Sequence, residues 1–219
     1  MELEFVYETG EKYPLLDYTP KLMKQIHYMV EKVLSDFSTI LDKGKTGEIS
    51  LPYDATGEDF YFFYNIPTPV SVELHFTITK DVDFPVGDAE YYSEDSTIGI
   101  KLEIPEFYDY QDVSFVLTEL IAHEMTHFIQ DVAGYPLPGK FKGKKIDYYL
   151  QPHEIEAQFF GFAIASNKFN VGSKVLFWNW VKNSKSMKGV SSLDISILEA
   201  TIFEEYEGKI LNLLDGSPL

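Results

Sequence analysis

Leu117-Thr118-Glu119-Leu120-Ile121-Ala122-His123-Glu124-Met125-Thr126-His127-Phe128-Ile129-Gln130 is the stretch on which the reading of this chain turns. Leu117, Leu120, Ile121, Phe128 and Ile129 recur at helical spacing and give the segment a face to bury. At about 100° per residue, His123 and His127 sit about 40° apart and one turn along the axis, so both imidazoles can reach one ion. Glu124 lies about 100° further round, beside such an ion without having to bind it. That placement suits a general base acting on a zinc-activated water. Asp112 is the expected N-cap of this helix and Gly134 its C-terminal stop, with Pro136 and Pro138 beyond.

Upstream, Ser96–Ile104 alternates, with Ile98, Ile100, Leu102 and Ile104 on one side and Thr97, Gly99, Lys101 and Glu103 on the other, until Pro105 ends it. Val70–Thr79 alternates in the same way and puts His75 on its polar face. Between them, Asp81–Asp95 reads as an acidic loop containing Tyr91 and Tyr92, and its spacing fits no EF-hand. Asp59–Ile66 is an aromatic-rich candidate strand, and residues 1–18 hold a short alternation at Leu3, Phe5 and Tyr7. Thr19-Pro20 opens a long amphipathic helix carrying Leu22, Ile26, Met29, Val30, Val33, Leu34, Phe37, Ile40 and Leu41, which stops near Gly44. His27 lies off its apolar stripe.

Downstream, Tyr135–Gln151 reads as a loop with Lys140, Lys142, Lys144 and Lys145, the densest positive charge in the chain and best read as a solvated segment. Pro152 then opens a helix that is apolar nearly all round and therefore buried. A shorter helical segment with Trp178 and Trp180 follows, and a last helix starts near Ser192. No repeat, linker or low-complexity tract divides the chain, so one domain over residues 1–219 is expected. Residues 1–110 supply helix plus sheet, and residues 111–219 a helical part carrying the metal site.

The 219 residues, 45% of them hydrophobic, are enough for a sizeable core. Cysteine is absent, so disulfides and thiolate metal sites are excluded. Net charge is −17 and every basic residue is a lysine. An arginine-free acidic chain is a poor match to nucleic acid. The N-terminus has neither a basic region nor an apolar core, and no apolar run is long enough for a membrane span. A cytoplasmic location is therefore the expectation.

A catalytic zinc needs three protein ligands and an open position. Without cysteine, the third must be nitrogen or oxygen, and the helix opened by Pro152 offers His153, Glu154 and Glu156. Glu154 and Glu156 project about 200° apart and cannot both face one ion. Glu154 shares its face, within about 60°, with Ala157, Gly161 and Ala165. This ridge of small residues lets a second helix come close. An unpaired carboxylate on a helix this apolar is costly to bury, and a metal is the partner the sequence offers. Glu154 is therefore favoured, with Glu156 and His153 as alternatives.

His123-Glu124-Met125-Thr126-His127 followed by Glu154-x-x-Ala157 resembles the gluzincin-type zinc metallopeptidases over residues 96–165. The chain's size and lack of arginine are also similar to those of small phage-encoded proteins. It has neither the Asn-Glu-x-x-x-Asp segment of thermolysin-like members nor the extended motif ending in a third histidine. The resemblance implies a zincin-like α+β fold: a small mixed or antiparallel sheet packed on the long N-terminal helix and the metal helix, with a helical C-terminal part. It implies one Zn2+ held by His123, His127 and Glu154, with Glu124 as base and proton shuttle in peptide-bond hydrolysis. It also implies that the last strand before the metal helix, here with Thr97, Gly99 and Lys101, pairs with an extended peptide or protein substrate.

Glu119, one turn before His123, and Asp131, one turn after His127, are candidates to orient an imidazole. Tyr148, Tyr149 and Tyr135 are candidate oxyanion donors. Two other functions fit the same residues. One is zinc-dependent hydrolysis of a non-peptide amide. The other is a catalytically silent acidic binding or inhibitory module with a structural metal. Oligomeric state is not legible in the sequence.

Overall fold

The computed structural model describes residues 20–41, 49–55, 70–135, 143–184 and 187–214. Its elements are α1 (Pro20–Leu41), β1 (Ile49–Ala55), β2 (Val70–Thr79), β3 (Val86–Tyr92), β4 (Thr97–Pro105), α2 (Tyr110–Val132), α3 (Lys145–Tyr149), α4 (Pro152–Phe169), α5 (Ser173–Asn183) and α6 (Ser192–Leu214). The fold is mixed α+β. The candidate strand at Asp59–Ile66, residues 1–18, Lys140 and Lys142 lie outside the described residues.

Period-2 alternation in β2 and β4 sends Val70, Val72, Leu74 and Phe76 and Ile98, Ile100, Leu102 and Ile104 to one buried face. α1 covers part of that face with Ile26, Met29, Val30, Val33, Leu34, Phe37 and Leu41, all buried. Phe37 meets Phe76 edge to face, with ring centroids 5.2 Å apart. The sheet order is β1-β2-β4-β3. β2 and β4 run parallel, whereas β1 and β3 are antiparallel to their neighbours.

β3 occupies the segment read from sequence as an acidic loop. Its inward positions are Gly87, Ala89 and Tyr91, too small or too polar to give an apolar signal, while Asp88, Glu90 and Tyr92 point outward. Its pairing with β4 is what makes it a strand. The consequence corrects a functional expectation. β4 is hydrogen-bonded on both sides, to β2 and to β3, so Thr97, Gly99 and Lys101 have no free edge for a substrate strand. Among the described residues the sheet's edge strands are β1 and β3, and β3 is the one that packs beside α2.

α2 begins earlier than its sequence suggested. Asp109, not Asp112, is the cap, its Oδ1 accepting the Gln111 N–H at 2.8 Å. At the other end Gly134 stands at φ +79°, the left-handed conformation glycine adopts cheaply, and its N–H donates to the Asp131 carbonyl at 2.8 Å. The segment read as a lysine-bearing loop contains the short helix α3, seated by the buried Ile146, with Lys144 and Lys145 exposed at its start. α4 is buried continuously from His153 to Ala165, as its all-round apolarity predicted. Among the described residues no helix is long and apolar enough to cross a membrane.

Candidate metal centre

α2 and α4 come into near contact at Gly161. A Cβ at that position would stand 3.0 Å from the Glu119 carbonyl oxygen and 3.5 Å from His123 Cβ. The ridge of Ala157, Gly161 and Ala165 thus does what its small side chains allow: it lets α4 lie against the backbone of α2. The first turn of α4 is thereby carried up to the histidine pair.

Glu154 is the residue that arrives there. Its Oε2 lies 3.5 Å from His123 Nε2 and its Oε1 3.3 Å from His127 Nε2. The two imidazole Nε2 atoms are themselves 3.1 Å apart. One ligand atom from each of His123, His127 and Glu154 lies within 4.8 Å of the other two, so the three residues could hold a metal ion. Glu124 stands beside them, Oε1 3.9 Å from His123 Nε2.

The tautomer of His127 follows from its neighbours. Gln130 Nε2 donates to Glu156 Oε2 at 2.8 Å and to the His153 carbonyl at 3.1 Å, both obligate acceptors when Glu156 is ionised. The amide is thereby oriented, and its Oε1 must accept from His127 Nδ1–H, 2.8 Å away. In the neutral ring Nε2 is then the nitrogen left with a lone pair directed at the cluster, the form a metal ligand requires.

Burial opposes charge on every carboxylate here, and the outcomes differ. Glu154, despite that burial, is held well below the usual range by His127, His123 and His153. Glu124 is pushed up by burial, with the histidines opposing and the Glu154 charge adding to the rise. The Tyr91 backbone N–H supplies Glu124 with a hydrogen bond that partly offsets this. Burial would lower His127, but the Glu154 and Glu124 carboxylates bring it up to about 9. His153 is lowered by burial. A carboxyl raised by burial beside a carboxylate kept ionised by its partners is a division suited to a base and a ligand.

The remaining predicted residues separate into those the structure brings to the centre and those it does not. Asp131 accepts from the Tyr91 hydroxyl at 2.7 Å, tying α2 to β3 rather than orienting an imidazole; Gln130 has that part. Glu119 is buried in the wall of the cleft, accepting from Gln158 Nε2 at 3.1 Å, and burial pushes it up to about 7. Tyr148 lines the cleft with its hydroxyl bonded to Glu154. Tyr149 lines it too, stacked edge-on against Trp180 with centroids 5.3 Å apart. Tyr135 packs against the core instead. His153 approaches Glu154 Oε1 at 3.4 Å and supports the carboxylate, while Glu156 lies beneath Gln130. Of the alternatives for the third ligand, the geometry selects Glu154.

Gln130, Gln158 and the pairing of β3 were not singled out from sequence, and Glu156 was weighed there only as a metal ligand, not as the acceptor that holds Gln130. Gln130 was within reach of such a reading: it follows His127 by one helical turn and is polar in a buried run. The β3 contribution depends on strand pairing and had no local signal.

The centre lies on the floor of a cleft of about 230 Å³ lined by α2, α4 and β3, an edge strand among the described residues. What the fold and site define is an α+β protein with a candidate His–His–Glu metal centre. Set against family models, curated proteins and solved structures, the chain matches none of them.

Proposed function

We propose that the protein is a zincin-like, zinc-dependent metallopeptidase. The observation that carries this reading is the meeting of His123, His127 and Glu154 at ligand distance, with Glu124 alongside, on the floor of a cleft bordered by β3, an edge strand among the described residues. With cysteine absent, two imidazoles and one carboxylate form a donor set that suits Zn2+ and leaves an open position. When bound, zinc supplies a Lewis acid that lowers the pKa of water toward neutrality and polarises a carbonyl.

The chain's own residues supply the rest. Glu124, raised by burial yet anchored by the Tyr91 N–H, accepts the proton of the attacking water and passes it to the leaving amine. Gln130, backed by Glu156, holds His127 in the ligating tautomer. Tyr148 and His153 restrain the Glu154 carboxylate from the side facing the cleft. The Tyr91 N–H reaches Glu124 and so faces away from β4; by antiparallel alternation the backbone groups of Gly87 and Ala89 face the same way and offer an extended peptide a place to pair.

The test is hydrolysis of a mixed peptide library by protein stripped with a chelator and reloaded with Zn2+. Cleavage should require the metal. Glu124→Gln should keep zinc bound while losing about 10²–10⁴-fold in rate. Stoichiometric zinc with no peptide cleavage would move the reading to a non-peptide amide or to a silent binding module. A fully active Glu124→Gln protein would remove the base assignment.

A further inference from the structure

Glu119 is a buried carboxylate that the steps above do not use. It lies one turn before His123, so about 6 Å along α2 from the metal centre, and it borders the same cleft. Its Oε1 accepts from Gln158 Nε2. Among the described residues the second oxygen has no donor, and it is not sealed from solvent, so it opens on the cleft. An ionised carboxylate in such a wall is stabilised by a cation brought to it.

The surroundings favour the same partner. Asp88 and Glu90 of β3 stand at the rim, and no lysine lines the cleft among the described residues. Trp180 and Tyr149 line the cleft as well, and Trp180 borders with Glu119 the small recess that continues it toward α5. Their rings offer the aromatic surface over which a guanidinium or ammonium group is attracted. Glu119 and His123 share no hydrogen bond among the described residues, so the carboxylate is not committed to orienting that ligand.

We infer that the cleft selects substrates carrying a lysine or arginine side chain next to the bond that is cut, with Glu119 receiving the cation. This rests on the metallopeptidase reading and names the substrate class of that site. The side chain would lie along α2 toward Glu119, its stem between Leu120 and Trp180, while the backbone pairs with β3.

The experiment is a comparison of zinc-loaded protein on matched peptides that differ at one position flanking the cleaved bond: lysine, arginine, norleucine or glutamate. The expected result is kcat/KM at least tenfold higher for lysine or arginine than for norleucine, with glutamate poorest. In Glu119→Gln, which keeps shape and hydrogen bonding, the ratio of basic to neutral peptides should fall to near one. Peptide cleavage with no preference for a basic residue overturns this inference and leaves the metallopeptidase reading standing. So does a preference that Glu119→Gln leaves unchanged, because the carboxylate is then not the recognising group. Failure of the zinc-loaded protein to cleave any peptide overturns both.

Discussion

Gly161 of α4 faces the backbone carbonyl of Glu119 in α2 so closely that a Cβ there would lie 3.0 Å from the oxygen. The contact is with helical backbone, which cannot rotate aside, and His123 Cβ is next nearest at 3.5 Å. The separation of the two helices, and with it the distance from Glu154 to the histidine pair, is set at this point.

Gly161→Ala should therefore loosen the centre. Alanine favours a helix by about 1 kcal/mol over glycine, but overpacking typically costs about 1–3 kcal/mol, so the net change in stability should be small. Metal affinity should fall more clearly, because the helices must part where Glu154 is delivered. Gly161→Val should exaggerate both effects. Zinc titration with a competing chelator, alongside thermal melts, measures the two separately; unchanged affinity in both variants would mean the ridge does not set the ligand distance.

Gln130→Leu should lower metal affinity by about 10–100-fold. It removes the acceptor that keeps His127 Nδ1 protonated and takes a donor from Glu156, which is wholly buried. Loss of a buried hydrogen bond of this kind also costs about 1–3 kcal/mol in stability. Asp131→Asn, by contrast, should leave zinc affinity nearly unchanged, since Asp131 engages Tyr91. Equal effects of the two substitutions would contradict the roles given to them.

Metal uptake should release a proton near neutrality and tighten with rising pH. His127, ordinarily 6.5, is held up to about 9 before metal binds, so at pH 7 an ion must displace its proton. Apparent affinity should rise by about tenfold per pH unit from 7 to 9 and then level off. The metal-free fold has the opposite alkaline trend. The raised His127 contributes stability fully below 6.5 and loses it as pH climbs through about 9. The lowered Glu154 contributes above its ordinary 4.5 and loses that as pH falls through its folded value. Chelated protein should consequently melt higher at pH 5.5 than at pH 9.5 as far as this pair is concerned. Calorimetry in buffers of different ionisation enthalpy reads the released proton directly.

Ala89→Pro tests the free edge. Proline removes an N–H that faces away from β4, so the sheet ladder loses nothing while an extended substrate loses a donor. KM for peptides of several residues should rise, with zinc binding and kcat much less affected. If short and extended substrates respond alike, pairing along β3 is not how the cleft engages a peptide.

How much of this was legible beforehand depended on whether the signal was local. The apolar stripe of α1, the alternation of β2 and β4 and the burial of α4 were all readable, because each element carries its own period in its side chains. His123, Glu124 and His127 were readable for the same reason, since one helix places them together. Glu154 could be inferred at longer range only because the small residues that bring α4 close share its helical face.

β3 was not legible: its inward side chains are small or polar, and a strand of that kind is held by its partner rather than by its own pattern. Its presence leaves β4 paired on both sides and puts β3 at the sheet's edge, a change that no reading of Thr97, Gly99 and Lys101 alone could anticipate. Gln130 displaced Asp131 as the group that orients His127 because Glu156, 26 residues further along the chain, fixes its amide. The sequence by itself determined which atoms can bind an ion and which helices carry them. The tertiary structure decided which carboxylate reaches them, which groups hold them and which strand stays open, since those depend on contacts between segments far apart in the chain.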